Sequence, residues 1–111
     1  MGEVVIHGLK TCDTCRKARR ALEGAGRAVR VVDVREAGLD AAFLDRILAA
    51  FGEKAVNRAS TTWRGLGEEE RAEDPRVLPA RHPALMKRPV VEDGEVLTLG
   101  WGPEARAAHG L

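Results

Sequence analysis

The stretch VVIHGLKTCDTCRKARRALEGAGRAVRVVDV, residues 4–34, predicts a strand, a helix and a second strand in succession. Both ends are runs of aliphatic residues, and the middle repeats alanine and leucine at helical spacing among basic residues. The predicted elements are Glu3–His7, Asp13–Glu23 and Ala28–Val34. A crossover of this length joins parallel strands through a right-handed connection, so the stretch predicts a βαβ unit.

The segment after the second strand has a predominantly helical pattern. Apolar residues recur at helical spacing in its first part, and a run of glutamates followed by arginine marks a short exposed helix. Near its end, Asp74-Pro75 supplies a cap and a proline at the first helical position, while Pro79 and Pro83 leave the limits of that last helix open. The predicted helices are Asp40–Phe51, Glu68–Arg71 and Arg76–Met86. We therefore expect a helical insertion over about residues 39–86.

The C-terminal part predicts a β-hairpin followed by a closing helix. Asp93-Gly94 separates two apolar runs and is the strongest hairpin signal in the chain. The predicted elements are Pro89–Glu92, Glu95–Leu99 and Pro103–His109. Together with the βαβ unit, they predict a single α/β domain over residues 1–111, with a thioredoxin-like fold. Its four-stranded mixed sheet would carry flanking helices and the helical insertion.

The composition excludes several classes of protein. The formal net charge is +1, so there is no global attraction to nucleic acid or to an anionic membrane, and we predict neither as a direct partner. No apolar stretch approaches the roughly 20 residues of a membrane span. The N-terminal residues lack the basic region and the long apolar run of a signal peptide. We therefore expect a cytoplasmic protein, in a compartment where thiols are kept reduced.

Both cysteines of the chain lie in one Cys-x-x-Cys motif, formed by Cys12 and Cys15. The motif stands directly after a predicted strand, where the first helix opens. Unpaired backbone N–H groups and the helix dipole favour an anion there, so Cys12 is predicted to be a reactive thiolate. Residues three apart share a helix face, which brings the Cys15 sulfur within reach to resolve a mixed adduct.

Polar residues around the motif act in opposite directions. Lys10 and Arg16 place positive charge near Cys12, whereas the carboxylate of Asp13 would raise the pKa of that thiol. The sequence does not show which effect prevails. Thr11 has two possible roles, capping the helix or donating a hydrogen bond to the thiolate.

Two other interpretations of the cysteines are weaker. Two buried structural thiols would leave the motif's place at a helix entrance unexplained. A closed zinc site needs four ligands, and the remaining candidate donors form no second paired motif. These donors are His7, His82 and His109. We predict no metal site, and we place His82 and His109 in surface helices.

Three passages of the chain stand in an order and at a spacing that match a known family. They are His7–Ala18, Ser60–Arg64 and Leu85–Val91. In them the chain resembles the arsenate reductase-like (ArsC/Spx) family, a branch of the thioredoxin fold, over nearly its whole length. The resemblance implies that Cys12 is the nucleophile and that Arg88 binds an oxyanion or steadies the thiolate. It also implies a cis peptide at Pro89, facing the cysteine pair.

The chain departs from the family at positions that matter for arsenate. Arsenate reductases of this family place three arginines around the cysteine, and Arg88 matches one of them. Arg58 falls one residue before the second, where Ala59 stands instead, and the third falls in Leu97–Trp101, which has no arginine. Because arsenate is multiply charged, the missing cations predict weak arsenate reduction. The residues predicted to contact substrate are Lys10, Thr11, Arg58 and Pro89.

The sequence thus predicts a thiol–disulfide oxidoreductase that resembles arsenate reductase. No bound cofactor is expected, and glutathione or another cellular thiol would be the reductant. Cys15 is absent from glutathione-coupled arsenate reductases but matches the Spx transcription regulators, in which such a pair is a redox switch. The alternative is therefore an Spx-like regulator that binds the RNA polymerase α subunit. A catalyst requires turnover with a thiol, whereas a switch requires a partner surface that changes on oxidation.

Overall fold

A computed structural model of the chain describes residues 2–74 and 77–111. Pro75 and Arg76, at the predicted start of one helix, lie outside the described residues. The strands are β1 (Val4–Gly8), β2 (Val29–Asp33), β3 (Val90–Asp93) and β4 (Val96–Leu99). The α-helices are α1 (Asp13–Gly24), α2 (Val34–Ala37), α3 (Ala41–Phe51), α4 (Thr61–Arg64), α5 (Glu68–Arg71), α6 (Leu78–Arg81) and α7 (Pro103–Ala108). Short 3₁₀ helices are formed by Gly52–Ala55 and Pro83–Leu85.

The described residues pack into two compact units. The first contains the residues up to Asp33 together with Arg88–Leu111, and therefore holds the sheet, α1 and α7. The second is Val34–Lys87 and is helical. The predicted insertion of about residues 39–86 lies within this second unit, while the assignment of the whole chain to one domain stays a prediction.

The strands of the first unit form one mixed sheet in the order β2-β1-β3-β4. β1 and β2 are parallel, with Val4 opposite Val29, because α1 carries the chain back across the sheet between them. β1 and β3 are antiparallel, with Ile6 opposite Val91, and β3 continues into β4 through a hairpin. The predicted four-stranded mixed sheet of a thioredoxin-like domain is confirmed.

The hairpin turn lies one residue later than the sequence predicts. Asp93 pairs with Val96, which leaves Gly94 and Glu95 as the two turn residues. Gly94 has a φ of 60°, in the left-handed region that glycine enters without a steric penalty. The glycine of the Asp93-Gly94 signal therefore marks the turn itself, while the aspartate ends β3.

A hydrophobic cluster joins α1 to one face of the sheet. Its fully buried members are Val4, Ile6, Ala18, Leu22 and Val91, and Cys15 belongs to the same cluster. Ala18 and Leu22 lie on the predicted apolar face of α1, three and seven residues after Cys15 along the helix. The second cysteine of the motif is thus anchored by core packing.

The C-terminal helix is fastened through His109, whose side chain is fully buried. Its Nε2 shares a hydrogen bond of 2.8 Å with Thr98 Oγ1, and its ring stacks on Trp101 at 6.1 Å between ring centroids. The prediction that His109 lies on the surface is wrong, because these two partners fix the imidazole against β4 and its following turn. Burial lowers the pKa of His109, so the ring is neutral at physiological pH.

Two predicted helices of the second unit are confirmed, and a third, whose limits the sequence leaves open, is shorter than its predicted range. α3 starts after Asp40, whose carboxylate accepts a hydrogen bond of 2.9 Å from the backbone N–H of Phe43, and α5 covers the predicted residues. The helix predicted over Arg76–Met86 is shorter in the described residues, where α6 ends at Arg81. Pro83 lacks the N–H of a helical interior and disfavours helical backbone angles at the residue before it, so a 3₁₀ turn follows instead.

Two short helices have no counterpart in the sequence analysis. α2 begins at Val34, which the aliphatic pattern assigns to the preceding strand. α4 starts after Ser60, whose hydroxyl accepts a hydrogen bond of 3.1 Å from the backbone N–H of Trp63. Within residues 2–74 and 77–111, none of the helices combines the length and the apolar character needed to cross a bilayer.

Candidate active site

The cysteine motif lies at the entrance of α1. Cys12 is the N-cap residue, with extended backbone angles, and its carbonyl accepts a hydrogen bond of 3.1 Å from Arg16 N. The Cys12 backbone N–H donates to the carbonyl oxygen of Leu9 at 3.1 Å, which closes the turn between β1 and the helix. Cys12 is partly exposed and Cys15 is buried, and both are free thiols.

The two thiols affect each other in opposite ways. Partial burial raises the pKa of Cys12, but hydrogen bonds from the side chain and backbone of Cys15, and from Arg88, outweigh it, so the pKa is lowered. Burial raises the pKa of Cys15 to about 12, and the hydrogen bond and charge of Cys12 act in the same direction. Cys12 is thus the thiol that ionises, and Cys15 is the thiol that donates.

Arg88 comes from the other end of the chain to join the cysteine pair. It stands two residues before β3, and its guanidinium hydrogen-bonds to Cys12 and stabilises the thiolate by its charge. The Arg88–Pro89 peptide bond is cis, as the resemblance implies, and Pro89 is buried. The carbonyl of Pro89 accepts a hydrogen bond of 2.8 Å from Gly100 N, which ties this segment to the end of β4.

Two of the charges next to Cys12 in the sequence pair with each other. The carboxylate of Asp13 forms an ion pair with Arg16. The backbone N–H of Lys10 donates to Asp33 Oδ2 at 3.0 Å. The charge that lowers the pKa of Cys12 comes from Arg88 instead. Thr11 is exposed and precedes the N-cap residue, so the capping role considered for it is wrong. That Lys10 and Thr11 contact substrate stays a prediction.

Beside the motif, the first unit contains a groove of about 420 Å³. It is lined by Leu9, Lys10, Cys15, Arg16, Arg19 and Val31. Apart from Cys15, the lining residues are therefore either basic or aliphatic. The two arginines form exposed ion pairs with Asp13 and Glu23 on the same helix.

Arg58, which the sequence predicts to bind substrate, belongs to the second unit. There its guanidinium lies 5.5 Å from the ring centroid of Trp63 and 3.5 Å from a carboxylate oxygen of Glu53. A second guanidinium, from Arg71, lies 5.8 Å from the same ring. That Arg58 contacts substrate stays a prediction, as does the same role for Pro89.

Sequence reasoning missed Gly8, which lies against Cys15, and Leu9, whose backbone hydrogen-bonds to both cysteines. Leu9 offers its carbonyl to Cys12 and its backbone N–H to the sulfur of Cys15. A Cβ built on Gly8 would overlap Cys15 Sγ. The sequence marks these residues only as part of a turn, because no local pattern reveals which side chain a strand end will approach. Within the described ranges, no group of three or more His, Cys, Asp and Glu side chains is arranged to hold a metal ion.

Iodoacetamide at neutral pH is expected to modify Cys12 and to leave Cys15 unmodified. The rate for Cys12 should follow its thiolate fraction and reach half of its maximum below the pH expected for an ordinary thiol, about 8.5. Cys15 is buried and its pKa is about 12, so it has almost no thiolate in this range. Peptide mass mapping over a pH series measures both rates. Faster modification of Cys15, or a Cys12 midpoint at or above the ordinary value, would contradict the assignment.

The chain is similar to one family model, to a protein of known sequence and to several solved structures. A model of the ArsC family matches residues 7–108. An uncharacterised protein of Haemophilus influenzae is 37% identical over 101 residues, which cover 85% of this chain and 88% of that protein.

Two solved structures are similar over almost the whole chain. The YFFB (PA3664) protein has a TM-score of 0.87 at 36% identity, and the match covers 96% of this chain and 97% of that one. An arsenate reductase (ArsC) related protein from Brucella melitensis has a TM-score of 0.73 at 39% identity, with coverage of 99% and 97%.

Proposed function

Because the chain belongs to the ArsC family, we propose that it is a thiol–disulfide oxidoreductase in which Cys12 is the nucleophile and Cys15 the resolving thiol. The observation that carries the proposal is the arrangement of Cys12, which receives hydrogen bonds from Cys15 and Arg88 that lower its pKa. A thiolate that is stabilised and partly exposed at neutral pH is the form that attacks disulfides.

In the first step, the Cys12 thiolate attacks one sulfur of a substrate disulfide. A bond forms between Cys12 Sγ and that sulfur, and the second substrate sulfur leaves as a thiolate. In the second step, Cys15 attacks Cys12 Sγ, the remaining substrate sulfur leaves, and the proton of Cys15 passes to it. The products are a reduced substrate and a Cys12–Cys15 disulfide, which two molecules of a small thiol reduce while becoming a disulfide themselves.

The high pKa of Cys15 fits its place as the second nucleophile. In the resting protein, the charge of Cys12 and the hydrogen bond between the thiols help to raise that pKa. Both influences disappear when Cys12 Sγ becomes part of a neutral mixed disulfide, while the positive charge of Arg88, which lowers the pKa, remains. Cys15 therefore becomes easier to deprotonate once there is an adduct to resolve.

The groove beside Cys15 supports a small anionic thiol as the reductant. Its volume of about 420 Å³ suits a peptide-sized molecule, and its basic residues Lys10, Arg16 and Arg19 can pair with carboxylates. The arginines there are held only in exposed ion pairs, which contribute about 0–1 kcal/mol and exchange readily for a ligand. Glutathione, a tripeptide with two carboxylates, has this chemistry.

Arsenate is a poor candidate substrate for this site. Arg88 is the guanidinium beside Cys12 in the first unit, and the segment Leu97–Trp101 has no arginine to supply another. The basic residues of the groove lie beside Cys15 and are not among the groups that lower the pKa of Cys12. The one guanidinium at the reacting sulfur compensates only part of the charge of arsenate, and the charge that develops during its reduction would be poorly stabilised. A neutral disulfide has no such requirement.

The test is a comparison of turnover on two substrates, with glutathione as reductant. We expect the wild type to reduce a mixed disulfide of glutathione and a small thiol at least about 100-fold faster than arsenate, expressed as kcat/KM. When glutathione is left out, Cys15→Ser should accumulate the Cys12 mixed disulfide, which mass spectrometry detects. Arsenate reduction at a comparable rate would overturn the substrate assignment, and the absence of turnover on any disulfide would overturn the enzyme assignment.

The same cysteine pair would serve the alternative function, an Spx-like redox-switched regulator. A regulator would show no turnover, and its binding to the RNA polymerase α subunit would differ between the dithiol and disulfide forms. A pull-down with that subunit in both redox states therefore separates the two functions. Redox-dependent capture without disulfide turnover would favour the regulator.

A further inference from the structure

The end of β1 approaches Cys15 more closely than any side chain other than hydrogen would allow. Gly8 is the last residue of β1 and is paired with Asp33 of β2, so the sheet fixes its position. A Cβ built on it would overlap Cys15 Sγ and would lie 3.3 Å from Cys15 Cβ. Relief of this overlap requires the sulfur, the strand or the helix to move.

Backbone conformation does not account for a glycine at position 8. Its φ lies outside the left-handed region that favours glycine, unlike that of Gly94 in the hairpin turn. In an extended strand, alanine loses less conformational freedom on folding than glycine and is favoured by roughly 0.5–1 kcal/mol. What matters at position 8 is therefore the absence of a side chain, which leaves room for Cys15 Sγ.

We propose that Gly8 is a positioning residue for the cysteine pair, leaving the space in which Cys15 Sγ sits within hydrogen-bonding reach of Cys12. The adjacent residue, Leu9, also holds the pair in place. Its backbone N–H hydrogen-bonds to the sulfur of Cys15, and its carbonyl accepts a hydrogen bond from the backbone N–H of Cys12. The inference rests on the proposed function for its meaning, but its consequence for Cys12 is independent of turnover.

A side chain at position 8 would change the pKa of Cys12, although the atom that it overlaps belongs to Cys15. The hydrogen bonds from Cys15 are among the causes that lower the pKa of Cys12. If a methyl group at position 8 displaces Cys15 Sγ, Cys12 loses the side-chain bond and its pKa rises. Because the thiolate is the reactive form, alkylation of Cys12 at a pH below both pKa values slows by about tenfold for each unit of that rise.

The experiment is a double-mutant cycle read by the pH profile of Cys12 alkylation. Gly8→Ala should shift the profile upward by about one unit and slow alkylation by about tenfold below it. In the Cys15→Ala background there is no sulfur to displace, and only a contact of 3.3 Å between Cβ atoms remains, so the same substitution should change the rate by less than about twofold. The matched control is Gly24→Ala, since a Cβ at Gly24 meets nothing within 4 Å.

Each outcome decides the proposal. An unchanged profile in Gly8→Ala, or an equal shift in both backgrounds, would overturn it, because the effect would then not pass through Cys15. If Gly8→Ala alone fails to fold, the proposal is tested by thermal unfolding of the variants that lack the Cys15 sulfur. Gly8→Ala/Cys15→Ala must then fold and melt close to Cys15→Ala, and failure of the double variant as well would overturn the proposal. A protein without disulfide turnover would still give either result, so the proposed function and this inference fail separately.

Discussion

Cys12→Ser is expected to lower the rate of disulfide exchange by about 1,000-fold or more. A serine hydroxyl stays protonated at neutral pH, and the hydrogen bonds from Cys15 and Arg88 that stabilise a thiolate at this position cannot ionise it. Cys15 does not replace the lost nucleophile, because it is buried, and burial, the largest cause of its raised pKa, persists in the variant. The measurement is the initial release of the leaving thiol from a chromogenic disulfide, together with steady-state turnover.

Cys15→Ser is the matched control for this prediction. It keeps the Cys12 sulfur at the entrance of α1, so in the absence of added thiol it should release the leaving thiol once and then stop as a mixed disulfide. Cys12→Ser should show neither the single release nor turnover. A rate in Cys12→Ser within about tenfold of the wild type would refute the assignment of the nucleophile.

Arg88→Met is expected to move the pH profile of kcat/KM toward higher pH and to lower the rate at neutral pH by about 10- to 100-fold. The guanidinium lowers the pKa of Cys12 through a hydrogen bond and through its charge, and methionine supplies neither. The sign follows from the reactive species. A raised pKa leaves less thiolate at a given pH, so activity is lost at the acidic end and is regained as the pH rises.

Two further variants separate these contributions. Arg88→Lys keeps the charge but loses the planar donor fork, so its profile should lie between those of the wild type and Arg88→Met. Arg30→Met removes an exposed arginine of β2 that pairs with Glu3, and we expect no shift from it. If the Arg88→Met profile coincided with that of the wild type, Cys12 would owe its acidity to the helix entrance and Cys15 alone.

The local elements of the first unit were predictable because each has a strong short-range pattern. In the aliphatic run Val4-Val5-Ile6, Val4 and Ile6 are buried in the sheet. The alternation of Ala18 and Leu22 with basic residues forms the buried face of α1. Two predictions differ from the structure, namely the length of the helix before Pro83 and the surface position of His109. Pro83 ends a helix that the apolar pattern continues, and His109 is buried by partners that its own helix does not reveal.

The candidate site was predictable only in part, because its components differ in their separation along the chain. Cys12 and Cys15 share a helix start, and their spacing brings the sulfurs together without further information. Arg88 reaches Cys12 from the start of β3, which pairs with β1, and the resemblance to a family was the only sequence signal for it. Gly8 has no signal at all, since its importance depends on where another residue's sulfur comes to rest.

The hydrogen bonds that hold the Cys12 sulfur as an anion exist only while that sulfur is reduced. They therefore stabilise the dithiol form over the disulfide and move the redox equilibrium of the pair toward a more oxidising potential, by about 30 mV for each tenfold of stabilisation. Under the proposed function, we expect small thiols to reduce such a disulfide readily and the dithiol to be a weak reductant of low-potential structural disulfides. The substrates that we expect for it are labile links, such as that between a protein cysteine and a small thiol.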